Sequence, residues 1–247
     1  MKLLTLITFS ILINPVAYAL KAHTASYQLS INGFKIAEEV RALHKLDKHY
    51  FYTANARTSG LAAFIKDYSI AASSTFSISH QGVDAIHYQI IEQENGELVK
   101  NYAFDIYSKN HAIVSILTKT QPKIRTWQSK GGNIVDPLSL FLALSNDLEH
   151  NPNQSIFTYQ VTNGKSIEQH QYKRVNERLI KINNQSVKAI KISRINTSNN
   201  NIKAYFLPKY GYLPALIERN KNGKNYTYKL TNLQIENKAK DKLQVSF

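Results

Sequence analysis

Four of the chain's nine glycines directly follow an asparagine: Asn32-Gly33, Asn95-Gly96, Asn163-Gly164 and Asn222-Gly223. Asn and Gly both tolerate the positive φ that the two central residues of a type I′ hairpin turn require. Each pair sits between runs that read as strands. "ASYQLSI" puts Ala25, Tyr27, Leu29 and Ile31 on one face before the first turn, and "FKIAEEVRAL" follows it. "AIHYQIIEQE" and "ELVKNYAFDIY" flank the second pair, "IFTYQVT" and "KSIEQHQYKRV" the third, "YLPALIERN" and "KNYTYKLTNLQI" the fourth. Period-two patterning around such turns predicts an antiparallel meander with one apolar face. "YFYTANART", "YSIAASSTFSIS", "AIVSILT", "VKAIKISRI" and "IKAYFL" supply further strands. The 15 tyrosines suit half-buried strands, with the ring inside and the hydroxyl free to reach a partner.

One stretch breaks this pattern. "NIVDPLSLFLALSNDLEHN", residues 133–151, predicts a helix over about residues 136–149. Asp136 can cap the free N–H groups of a first turn, and Pro137 suits the first helical position. Val135 and Leu140 stand at the spacing of a hydrophobic staple. Pro152 disfavours helix at Asn151. Leu138, Leu140, Phe141, Leu142, Leu144 and Leu148 cover an arc of roughly 200°, where a surface helix needs about 100°. Such a helix is covered on two sides. A curved sheet or half-open β-barrel with this helix lying in its concave face satisfies both patterns. Periodicity leaves open whether the helix fills the core or lines a cavity beside it.

The chain opens "MKLLTLITFSILINPVAYA". Lys2 gives a positive n-region, Leu3 to Ile13 an apolar h-region, and Ala17-Tyr18-Ala19 small residues at the positions a signal peptidase reads. The expectation is a signal peptide over residues 1–19, cleaved after Ala19, and one β-rich domain over 20–247. A segment of eleven residues rises about 16 Å as a helix against roughly 30 Å of hydrocarbon, too short to span it. Export places the protein in the periplasm. There is no cysteine, so disulfides and thiolate metal sites are excluded, and the core must carry the stability.

Net charge is +14, or +13 without Lys2. This favours anionic partners such as lipid head groups or acidic wall polymers, with peripheral association to the envelope, and an exported chain does not meet nucleic acid. The eight histidines form no HxH or HExxH arrangement, and no acidic cluster adjoins them, so no metal or other cofactor is expected. No G-x-S-x-G elbow or S-x-x-K dyad appears, and no local carboxylate pair is fixed for hydrolysis. The expectation is a protein without catalytic residues.

"RTWQSKGGNIVDPLSLFLAL", with Trp127, the glycine pair, Asp136, Pro137 and Ser139, resembles the middle signature of the bacterial exported family called domain of unknown function 3108. "YFLPKYGYLPALIE" is similar to that family's closing pattern, and "SYQLSINGFKIAEEV" to its opening hairpin. The resemblance implies no reaction and no catalytic residue. More loosely, a curved sheet with an inserted helix is similar to periplasmic lipoprotein carriers, whose half-barrel holds acyl chains. That likeness lies at the level of fold, which does not fix function.

The leading expectation is a carrier of an amphiphilic, lipid-like ligand, apolar chain inside and acidic head on basic residues. The expected contacts are Arg125, Trp127, Lys130, Leu138, Phe141 and Leu142. An envelope-assembly protein that binds protein or peptidoglycan through free sheet edges is the alternative. An outer-membrane β-barrel is a third reading, prompted by Leu243, Val245 and Phe247 alternating at the C-terminus.

Overall fold

The computed structural model describes residues 20–117, 121–127, 133–182, 185–195, 200–236 and 242–246. The expected signal peptide, residues 1–19, lies outside the described residues.

One antiparallel sheet dominates the fold. Its first half is a meander of β1 (His23–Ile31), β2 (Phe34–Leu46), β3 (His49–Thr58), β4 (Tyr68–Ser79), β5 (Gly82–Glu94), β6 (Glu97–Tyr107), β7 (Ala112–Leu117) and β8 (Lys123–Thr126). A short helix, α1 (Leu61–Ile65), interrupts it between β3 and β4. The helix α2 (Leu140–His150) follows the two-residue β9 (Ile134–Val135). A second meander comprises β10 (Ile156–Thr162), β11 (Ile167–Ile182), β12 (Gln185–Arg194), β13 (Asn200–Leu207), β14 (Leu213–Lys221) and β15 (Lys224–Glu236). The halves join where β1 pairs β15, and β16 (Lys242–Ser246) pairs the end of β15. The only parallel pairing in the described sheet is β9 with β10.

β8 and β9 are the two ends of the hydrogen-bonded path. They are not paired with each other, and side chains bridge the two halves instead. The Arg125 guanidinium donates to the Gly164 carbonyl at 3.1 Å, and the Ile134 N–H to Asp84 Oδ1 at 3.3 Å. The result is a half-open, barrel-like sheet, as the sequence pattern implies. Gly164 makes the seam possible. It adopts φ +78°, and a Cβ there would collide with the Tyr102 hydroxyl and the Phe104 ring.

Three Asn-Gly pairs form the expected turns, with positive φ at both residues: Asn32-Gly33, Asn95-Gly96 and Asn222-Gly223. The fourth differs. Asn163 keeps negative φ, and its side-chain oxygen accepts from the N–H groups of Lys165 and Ser166 at 2.9 and 3.1 Å. The seam needs a wider loop there, and the asparagine closes it through its side chain.

Inward residues of both halves build the main core around Leu43, Tyr52, Phe76, Phe104, Phe157 and Phe206, with α2 among them. A second core, around Tyr27, Ile182, Leu207, Leu230 and Leu233, lies on the other face of β12 and β13. β13 is therefore buried on both faces, with Ala204 and Phe206 in the first core and Tyr205 and Leu207 in the second.

Candidate ligand-binding cup

The helix closes one end of the barrel. The turn at 137–139 precedes it, so the regular helix starts at Leu140, slightly later than the sequence suggests. Asp136 organises that turn. Its Oδ1 accepts from the N–H groups of Leu138 (2.7 Å) and Ser139 (2.9 Å). Its Oδ2 accepts from the hydroxyls of Ser139 (2.8 Å) and Ser74 (2.5 Å). Burial raises the Asp136 carboxyl above its usual range, and these four hydrogen bonds pull it back. Ser74 lies on β4, so the cap also ties the helix start to the barrel wall. Further along, Leu142, Ala143, Leu144 and Leu148 are fully buried. Leu142 and Ser145 face Leu20, Tyr210, Leu213 and Leu233. Ser145 Oγ lies 2.8 Å from the Tyr212 carbonyl. Nearby, the β4–β5 turn brings Gly82 close to Asp147.

The opposite end is open. Strand register places the turns 32–33, 95–96, 163–166 and 222–223 there, with the β3–β4 loop. Below this mouth lies a cavity of about 690 Å³. That is within the usual 300–1,000 Å³ of small-molecule sites. Its floor is the start of α2, with Pro137, Leu140 and Phe141. Its apolar wall is Ile90, Val161, Ile202 and Ile217, and Tyr172, Tyr226 and Tyr228 add aromatic surface. A smaller space of about 220 Å³ shares Arg41, Pro137 and Tyr228 with it and reaches Leu138 and Tyr88.

Polarity rises towards the mouth. Arg194, Arg219 and Lys221 line the upper cavity, with Glu168 as its only carboxylate among the described residues. Cross-strand register explains the grouping. Arg194 is opposite Tyr172, and Arg219 lies between Ile202 and Tyr226. Glu168 Oε2 is 3.2 Å from His170 Nε2 and 3.9 Å from the Arg194 guanidinium. Burial lowers the His170 imidazole below its usual range, partly offset by Glu168. Lower in the wall, Arg41 and Glu39 form a buried pair with Nη2–Oε2 at 2.8 Å. The Arg41 guanidinium also stands 4.9 Å from the Tyr27 ring centroid and 5.7 Å from that of Tyr228. Burial alone would lower the Arg41 guanidinium, but Glu39 outweighs it and holds Arg41 charged. Among the described residues, no group of three or more His, Asp or Glu side chains converges as a metal site.

The six residues expected to bind ligand are not gathered in one place. Phe141 lines the cup and Leu138 the smaller space. Leu142, one residue on, points to the closed end, because successive helix positions turn by about 100°. Arg125 belongs to the seam, bonded to Ser115 Oγ at 3.0 Å and to the Gly164 carbonyl. Trp127 packs against the main core, its ring 5.6 Å from that of His111, and its backbone N–H donates to the His111 carbonyl at 2.9 Å. Lys130 lies outside the described residues.

Sequence reasoning missed the basic side of the cup. A signal was present: charged residues continue the inward parity of apolar ones. Ile217, Arg219 and Lys221 are two apart, as are Ile192 and Arg194, and Glu39 and Arg41 sit between Ala37 and Leu43. The adjacent carboxylates Glu38 and Glu39 point to opposite faces of β2. Glu38 is exposed, whereas Glu39 lies in the barrel interior.

Comparison with solved structures agrees with this architecture. A β-barrel-like protein of domain of unknown function DUF1849 from Brucella abortus is similar over 88% of this chain and 99% of its own, with a TM-score of 0.57 and 11% identity. At that identity the likeness concerns the fold alone. A search of curated proteins finds no match. The family model "Protein of unknown function (DUF3108)" matches residues 26–231, and the chain belongs to that family.

Proposed function

We propose that this protein is a non-catalytic carrier of an amphiphile with an acidic head, working in the periplasm after removal of residues 1–19. The observation that carries the reading is the polarity gradient of the 690 Å³ cup, apolar at Phe141, Ile202 and Ile217 and cationic at Arg194, Arg219 and Lys221. An apolar chain would displace water from the floor, and the head would meet guanidinium groups suited to carboxylate or phosphate. The outward face favours a barrel in water over one in a bilayer. Glu38, Arg57, Lys173, Glu177, Lys181 and Lys188 are exposed on it, where a membrane barrel carries an apolar band.

Titration with dodecyl phosphate and with dodecyltrimethylammonium tests the reading. The anionic amphiphile should bind more tightly by at least about tenfold, and the double variant Arg194→Glu/Arg219→Glu should reverse that order. Phe141→Asp should abolish binding of dodecyl phosphate by placing an unpaired charge on the floor. Equal affinity for both amphiphiles, unchanged in the folded variants, would sink the proposal.

A further inference from the structure

The mouth carries a second feature that the cup does not use. Four apolar side chains stand out from its rim. Phe34, beside the first turn, is 79% exposed, and Leu61, Phe64 and Ile65 of α1 are 83%, 91% and 88% exposed. No residue of α1 is buried. Apolar groups clustered this way mark an interaction surface.

The loop that presents them is firmly held. Arg57 donates twice to Asp67, at 3.1 and 2.8 Å, across the base of the loop. Thr58 Oγ1 donates to the Lys66 carbonyl at 2.9 Å, and the Ser59 N–H donates to the Ile36 carbonyl at 3.0 Å. The Asn95 N–H donates to the Asp67 carbonyl at 2.8 Å, and the Asn32 N–H to the Asn225 carbonyl at 2.8 Å. The apolar lip is thus tied through neighbouring turns to Asn225, beside the basic side of the rim. Lys224 is exposed on that side, opposite Lys221 of the cup, and Lys165 is exposed further round the rim, on the β10–β11 turn beside Gly164.

We infer that this rim docks on an anionic lipid bilayer, with Phe34, Leu61, Phe64 and Ile65 entering the acyl region and Lys165 and Lys224 meeting the head groups. The rim matches the interface in both respects: apolar side chains on one arc and cations elsewhere on the rim, on a chain whose net charge is +13 without Lys2. Docking there places the cup's mouth against the membrane, where an amphiphile can pass without crossing water. The lip's purpose rests on the amphiphile reading; the contact itself is measurable without cargo.

The test is co-sedimentation with vesicles of phosphatidylcholine containing roughly one third phosphatidylglycerol. The protein should pellet with them. The triple variant Leu61→Ser/Phe64→Ser/Ile65→Ser should partition at least about tenfold less, because three exposed apolar side chains are removed. Lys165→Glu/Lys224→Glu should weaken binding and blunt its dependence on salt. Dodecyl phosphate affinity should survive in the triple variant, since none of its residues lines the cup. Wild-type protein that stays in the supernatant would overturn the inference and point to a protein partner for the lip. So would a folded triple variant that pellets like wild type. Vesicle binding that persists while Arg194→Glu/Arg219→Glu leaves amphiphile affinity unchanged would reject the cargo reading and keep the lip.

Discussion

The two ends of this barrel are made from the same strands and differ in what fills them. At the closed end, α2 packs Leu142, Leu144 and Leu148 against Leu20, Leu213 and Leu233 or the neighbouring core, and almost no free volume remains. At the open end, the same inward rows run on as Ile217 to Arg219 to Lys221, and the side chains leave a cavity of about 690 Å³ between them. A single helix of 11 residues cannot fill a barrel of this length. It rises about 16 Å, and it lies across one end. The lesson is that a plug specifies a cup when it is shorter than the vessel. The rows beyond it are free to change from apolar to charged without loss of core.

The comparison can be broken most sharply at the Glu39–Arg41 pair, an ion pair buried deep in the cup wall. Glu39→Gln should destabilise the fold by about 3–5 kcal/mol, because Arg41 would be left charged and unpaired inside. Urea unfolding measures this. A double variant Glu39→Leu/Arg41→Met should recover most of the loss, so the penalty belongs to the orphaned charge rather than to the volume.

A smaller effect separates the ends themselves. Leu148→Ala, at the filled end, should cost about 2–5 kcal/mol through a new cavity. Ile202→Ala, in the cup wall, enlarges a space that already exists and should cost no more than about 1–2 kcal/mol. Equal losses in the two unfolding midpoints would mean that the open end is packed as tightly as the closed one.

The smallest effect is a pH dependence at His23. Burial lowers its imidazole below 6.5, against the opposing pull of the Lys21 carbonyl. Nδ1 lies 2.8 Å from that carbonyl, and Nε2 is buried without a partner, so a second proton would be enclosed unpaired. The unfolded chain takes up this proton more readily than the native one. The stabilisation is therefore fully present above 6.5 and is lost as pH falls through the lowered native value. The wild-type melting midpoint should drop over that window by more than that of His23→Gln. Parallel curves would contradict the assignment.

Much of the fold was legible in the sequence because it is written in local signals. Three Asn-Gly pairs gave their turns directly, and Asp136-Pro137 gave the helix start. The wide apolar arc of α2 correctly implied a helix covered on two sides. The cup was less legible. Arg194 and Arg219 come from strands that are neighbours only through the β12–β13–β14 ladders, and no local pattern joins them. Arg125 and Trp127 looked like site residues because they precede the helix in the chain. The sheet's curvature instead sends that segment to the seam, where Arg125 meets Gly164, 39 residues further on. Leu142 and Phe141 are adjacent in sequence and face different ends, a separation that depends on how the helix is rolled in the barrel.

Native mass spectrometry with dodecyl phosphate is the most direct test of the cup. The wild-type protein should show a single one-to-one adduct, and Ile217→Trp, which fills the cavity without touching the basic rim, should lose it while remaining folded. An adduct that persists unchanged in Ile217→Trp, or that appears at several stoichiometries in both proteins, would place the amphiphile on the surface and contradict the account.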